Sequence, residues 1–302
     1  MKKLYHYPAM MILSFFAVIF LMVFEASMFV ETVIFKPTLY SEAIGRKAVI
    51  NAVYEDLEVY FTQFSAPTGI PPEVFTDPIK KEELSQSSFE LLTDSLEYLT
   101  DKNAPKPEIK YDFKPFEDSV VGYIESYSDQ NNIEKDEDYY NLIDNTVSTG
   151  EGQIRHHLDV MMLYQLSNSR YGGVLHEKSG YIRTVMLGSA GVLVLIALLM
   201  FIIDRHHIRD LTYWLGLIVA VSSVVILIPC IYLNKINYFS TFFMRSPHIY
   251  LTVTGVFQTM LNMIIYFETI MLIIGLILIV LTIVIHLIYV KYKRAKHRFE
   301  KE

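Results

Sequence analysis

Cysteine is all but missing: among 302 residues there is one, Cys230, and it stands inside an apolar run. A single buried thiol forms neither a disulfide framework nor a CxxC metal site. A domain held outside the cell must then rely on its hydrophobic core, which suits a bacterial envelope better than a eukaryotic secretory route. Helix breakers are sparse too, with 13 Gly and 11 Pro in the whole chain. No Val/Ile/Thr run alternates long enough for a sheet, so the fold class reads as all-α. No nucleophile elbow, phosphate loop or HExxH pair occurs either. The sequence therefore offers no catalytic residue, no cofactor and no metal site, and points to a non-enzyme.

What the chain does have is long apolar runs. Residues 9–30 form the first, and at ~1.5 Å per helical residue they cross the ~30 Å hydrocarbon core. The stretch Phe24-Glu25-Ala26-Ser27 lacks the small residue that a cleavage site wants three positions before the cut, so this is an uncleaved span. Three more spans are expected at 184–203, 211–233 and 268–290. Apart from Glu25 and Glu268 at the outer boundary, ionisable groups inside them are scarce, His286 being the exception near the inner end of the fourth, and an ion-coupled transporter normally needs more.

Charge is divided by segment. From Glu31 to Tyr181 there are 13 Lys/Arg against 27 Asp/Glu, a net −14, whereas the last twelve residues carry Lys291, Lys293, Arg294, Lys296, Arg298 and Lys301. Phosphate backbones would be repelled by the acidic stretch, which excludes nucleic acid as a partner. Positive-inside counting places 1–8, the 204–210 turn with Arg205 and Arg209, and the tail 291–302 in the cytoplasm. A plasma-membrane protein with four transmembrane helices and both termini inside follows, with 31–183 as an extracellular helical domain between spans 1 and 2.

That domain has helical periodicity throughout. Helices are expected at Ser41–Phe64, Lys81–Thr100, Phe116–Asp129, Tyr139–Val147 and about Glu151–Ser169. The prolines of Ser65–Pro72 should end the first, Thr149–Gly152 should be a loop, and Gly172-Gly173 should hinge. The segment 234–267 is an outer-face stretch with an amphipathic helix. Thr252, Gly255, Thr259, Asn262, Tyr266 and Thr269 fall 3, 4, 3, 4 and 3 apart and draw one polar seam on it. The last span can continue straight from that helix.

One resemblance rests on the order of these parts. Phe64 followed by Gly69-Ile-Pro-Pro-Glu-Val-Phe75, a tight span pair, Leu227-Ile-Pro229 and an amphipathic stretch before the last span resemble uncharacterised four-span membrane proteins of clostridia and other low-GC Gram-positive bacteria. The resemblance implies topology and supplies no activity or site.

The remaining candidates are individual residues. Glu25, inside the outer end of span 1, is expected to pair with Arg183 near Glu268, because an ionised carboxylate at that depth is costly alone. Gly180, Thr184 and Gly188 are four apart and should let a neighbouring helix approach. His156-His157 with Asp159 reads as solvated helix surface, since adjacent helical residues diverge by ~100°. Asp129–Asp138 fails the EF-hand template, with Glu134 where glycine is needed. The expected function is binding of an envelope partner by the acidic domain, as sensor, scaffold or accessory subunit. The partners are then membrane lipid and another envelope or membrane protein. The alternative is lipid or small-molecule transport through a cavity at the outer leaflet, walled by the polar seam.

Overall fold

The computed structural model describes residues 3–44, 47–203, 208–244 and 246–299, and every regular element among them is helical. His206-His207 and most of the expected 204–210 turn lie outside the described residues, as do the last three residues. In chain order the α-helices are α1 (Lys3–Phe29), α2 (Pro37–Ile44), α3 (Lys47–Thr68), α4 (Pro72–Thr76), α5 (Lys81–Thr100) and α6 (Lys114–Asn131). Then follow α7 (Glu137–Leu158), α8 (Leu163–Asn168), α9 (Arg170–Glu177), α10 (Tyr181–Ile203), α11 (Ile208–Lys235) and α12 (Pro247–Phe299). A π-helical turn, Val30–Ile34, extends α1.

Four segments are long and apolar enough to cross a membrane: Tyr7–Ile34, Tyr181–Ile203, Leu211–Lys235 and Pro247–Val290. The fourth belongs to α12, which merges the amphipathic stretch and the last span into one helix of 53 residues. At 1.5 Å per residue that helix is about 80 Å long, well over the ~30 Å of a hydrocarbon core. Only part of it can lie in lipid.

The chain divides into two compact units. The apolar unit holds Met1–Ile34, Tyr181–Phe239 and Gln258–Glu302. In it α1 packs against α10 and α11, burying Met10, Ala17, Ile196, Met200 and Ile218. Phe15, Leu187, Leu198, Ile277 and Val280 remain exposed, far more apolar surface than water tolerates, as a lipid-facing bundle requires. The close helix approach is at Gly216 and Gly275. A Cβ on Gly275 would come 2.7 Å from the Ala220 nitrogen and 2.9 Å from the Gly216 carbonyl, so α11 and α12 touch backbone to backbone there. The Gly180/Thr184/Gly188 stripe does not serve that purpose: a Cβ at Gly188 would meet nothing within 4 Å.

The polar unit holds Phe35–Gly180 and Ser240–Phe257. Its α5 matches the expected helix residue for residue and packs against α2, α3, α7, α8 and α9. Phe61 of α3, Phe75 of α4 and Phe116 of α6 form the aromatic centre, with ring centroids 5.1 to 6.2 Å apart and all three side chains buried. The Gly-Ile-Pro-Pro-Glu-Val-Phe segment thus works as core: it carries Ile70 and Phe75 inward.

Of three expected breaks, the first falls within its stretch and the other two are absent. Helix α3 runs through Pro67 and ends at Gly69, whose φ of +70° is the left-handed conformation that closes a helix, with its N–H on the Ser65 carbonyl at 2.8 Å. Helix α7 runs through the expected loop, because Gly150 is there for contact: a Cβ on it would lie 2.3 Å from Phe116 Cζ. Gly172 is not a hinge either. It sits in α9 against the carbonyl of Leu166, where a Cβ would come within 2.1 Å.

Candidate functional site

The polar unit gathers three groups that the sequence keeps far apart. Asp56 stands on α3 next to the buried stripe of Val53 and Leu57, His157 closes α7, and His248 opens α12 directly after Pro247. Asp56 and His248 are 192 residues apart in the chain, yet His248 Nδ1 lies 2.6 Å from Asp56 Oδ2. A carboxylate oxygen accepts, so Nδ1–H is the donor and the ring presents Nε2 as its acceptor nitrogen. The His248 side chain is 3% exposed and that of Asp56 25%, which makes Asp56 the solvent-facing edge of the cluster.

His157 packs its ring against His248, centroids 5.2 Å apart. Its Nδ1 donates to the Gln153 carbonyl at 2.8 Å, one helical turn back, so here too Nε2 is left with the lone pair. Burial pushes the His157 pKa below the usual histidine value, and the neighbouring His248 adds to this against the Gln153 hydrogen bond, which favours the charged ring. One ligand atom from each of Asp56, His157 and His248 lies within 4.8 Å of the other two.

The surroundings hold these groups in place. Thr252, fully buried, donates its hydroxyl to the His248 carbonyl at 2.8 Å. Asp159, two residues beyond His157, accepts from the backbone N–H of Tyr164 (3.1 Å) and of Gln165 (2.9 Å) and caps α8. Its carboxyl is raised above the ordinary range because burial outweighs those hydrogen bonds. Of the adjacent pair, His156 is exposed as expected, but His157 is not on a solvated surface. The ~100° between neighbours sends one ring out and the other in.

The same unit contains a pocket of about 470 Å³, inside the ~300–1,000 Å³ common for small-molecule sites. Tyr123, Tyr127, Tyr139 and Leu142 give it apolar walls, and Glu134, Asp136 and Asp138 an acidic side. The Tyr139 hydroxyl is buried with no hydrogen-bond partner. Within the Asp129–Asp138 loop, Asp129 pairs with Lys135 at 2.8 Å and Asp136 caps α7.

Two expected groupings are not formed. Glu25 does not pair with Arg183: both Glu25 carboxylate oxygens are buried without a hydrogen-bond partner, and Arg183 is exposed. The apolar unit instead sets Glu25 within electrostatic reach of Glu268, itself beside Ser223. The polar seam likewise has no common environment, with Thr252 buried, Gly255 and Thr259 half-buried, and Asn262, Tyr266 and Thr269 exposed. The buried line on α12 is His248, Thr252, Val256, Leu261, Glu268, Gly275 and Thr282, and its last four members are seven apart. Close packing, not polarity, selects that face.

Comparison with protein-family models, with curated proteins and with solved structures gives no match.

Proposed function

We propose that this is a multi-pass plasma-membrane protein whose acidic helical unit lies outside the cell and binds a partner in the envelope, as sensor, scaffold or accessory subunit. The pocket bounded by Tyr123, Tyr127 and Tyr139 carries the reading. Aromatic walls beside three carboxylates suit a cationic, partly apolar segment, because ring faces and carboxylates both attract positive charge. Lys135, whose ammonium lies 5.9 Å from the centre of the Tyr139 ring, is an internal instance of that attraction. Basic residues at both chain ends and in the 204–210 turn support cytoplasmic termini and an outward acidic unit. The test is a photo-crosslinking residue at Tyr127, on the pocket wall, and at exposed Val59 as control, in the native host. A defined protein adduct from position 127 and not from 59 is expected. Identical adducts from both positions, or none from 127, overturn the reading.

A second reading is favoured by the hydrogen bond between Asp56 and His248. A carboxylate that fixes a histidine through Nδ1 leaves Nε2 ready to take a proton, the arrangement of a general base in hydrolysis or group transfer. If the unit is an envelope enzyme, membranes from cells with His248→Gln lose a product that wild-type membranes contain.

A further inference from the structure

We propose that Asp56, His157 and His248 form a binding site for a divalent transition-metal ion, with zinc the best match. This goes beyond the partner-binding reading and rests on a different part of the polar unit. A metal site needs converging donors of the right type, a fixed ring orientation and a route in. The three donors, a carboxylate oxygen and two imidazole nitrogens, already lie within 4.8 Å of one another. Around a zinc ion with bonds of about 2.0–2.1 Å to nitrogen, tetrahedral ligands sit roughly 3.3 Å apart, so closing the cluster needs shifts of an ångström or so. The side chains come from three helices, and none of those shifts requires a helix to unwind.

Orientation is the stronger point. The His157 Nδ1–H on the Gln153 carbonyl (2.8 Å) is the outer hydrogen bond that metal-binding histidines characteristically make, and it directs Nε2 into the cluster. His248 faces Asp56 through Nδ1 at 2.6 Å. A cation entering there takes the place of the proton between Asp56 and His248: His248 changes tautomer, giving up the Nδ1 proton and taking one up at Nε2, and the cation binds the Asp56 oxygen, His248 Nδ1 and His157 Nε2. Two imidazoles disfavour calcium and magnesium, which take oxygen ligands, and favour zinc, nickel, cobalt or copper. Asp56, a quarter exposed, is the entrance, and three protein ligands leave a fourth position for water or a ligand.

The experiment uses the full chain purified in detergent, stripped with a chelator and reloaded with zinc chloride. Metal per chain is measured by mass spectrometry after desalting, and cobalt(II) loading gives a visible spectrum that reports coordination. One ion per chain is expected, with tetrahedral cobalt absorption. His157→Gln, His248→Gln and Asp56→Asn should each weaken binding at least tenfold, while His156→Gln, next to the site but exposed, should not. X-ray absorption on zinc-loaded wild type needs no variant, and so holds even if the site variants fail to fold; it should show two imidazoles and no sulfur. Less than one ion per two chains, an all-oxygen shell, or unchanged uptake by folded His157→Gln overturns the proposal. The pocket crosslink at position 127 is independent of all these outcomes.

Discussion

At the residue scale, the instructive case is Glu25. A carboxylate at that depth in an apolar bundle must find a cation, water or a neutral state, and Arg183 is the basic residue that the sequence offers. The structure leaves Arg183 exposed on α10 and buries Glu25 within electrostatic reach of Glu268. Two buried carboxylates in each other's field form no ion pair, and burying each of them costs stability. Glu25→Gln should therefore raise the melting temperature in detergent. Arg183→Glu, an exposed change, should alter stability by no more than about 0.5 kcal/mol. Loss of the fold in Arg183→Glu, with recovery on adding Glu25→Lys, would restore the ion pair as the correct account.

At the scale of the element, α7 carries a sharp contrast. Gly150 and Gly152 are both helical glycines, two residues apart, and differ in what surrounds them. Gly150→Ala drives a methyl into the Phe116 ring and should cost about 1–3 kcal/mol by overpacking. Gly152→Ala meets nothing within 4 Å and should gain roughly 0.5–1 kcal/mol by restricting the unfolded chain. Chemical denaturation of the two variants checks both signs at once. The same pair shows what was legible in the sequence. Apolar periodicity located α5 to the residue and all four apolar helices, because each of those signals is local. A glycine in a helix signals either a break or a close contact, and only the partner ring on α6 decides between them. The Asp56–His157–His248 cluster was illegible for the same reason: its members lie on three helices and join only through tertiary packing. The faint signals were an aspartate beside the buried stripe of α3 and a histidine just after a helix-opening proline.

At the scale of the whole molecule, the scarcity of cysteine makes the side of the membrane that each part faces measurable. Cys230 is the chain's single thiol and lies within an apolar span, so Cys230→Ser yields a background with no label acceptor. Into it one cysteine is placed at Val59, exposed on α3 of the polar unit, or at Lys301 in the basic tail. The positive-inside distribution sets lysines and arginines at both ends and in the short turn between the second and third spans, and four crossings satisfy all three at once. A membrane-impermeant maleimide added to intact cells should then label position 59 and leave 301 untouched until the cells are opened. The reverse pattern would put the acidic unit in the cytoplasm, where its partners would be cytosolic. Labelling of both positions in intact cells would mean an even number of crossings between them, and would require that one of the last three apolar helices lies along the membrane instead of through it.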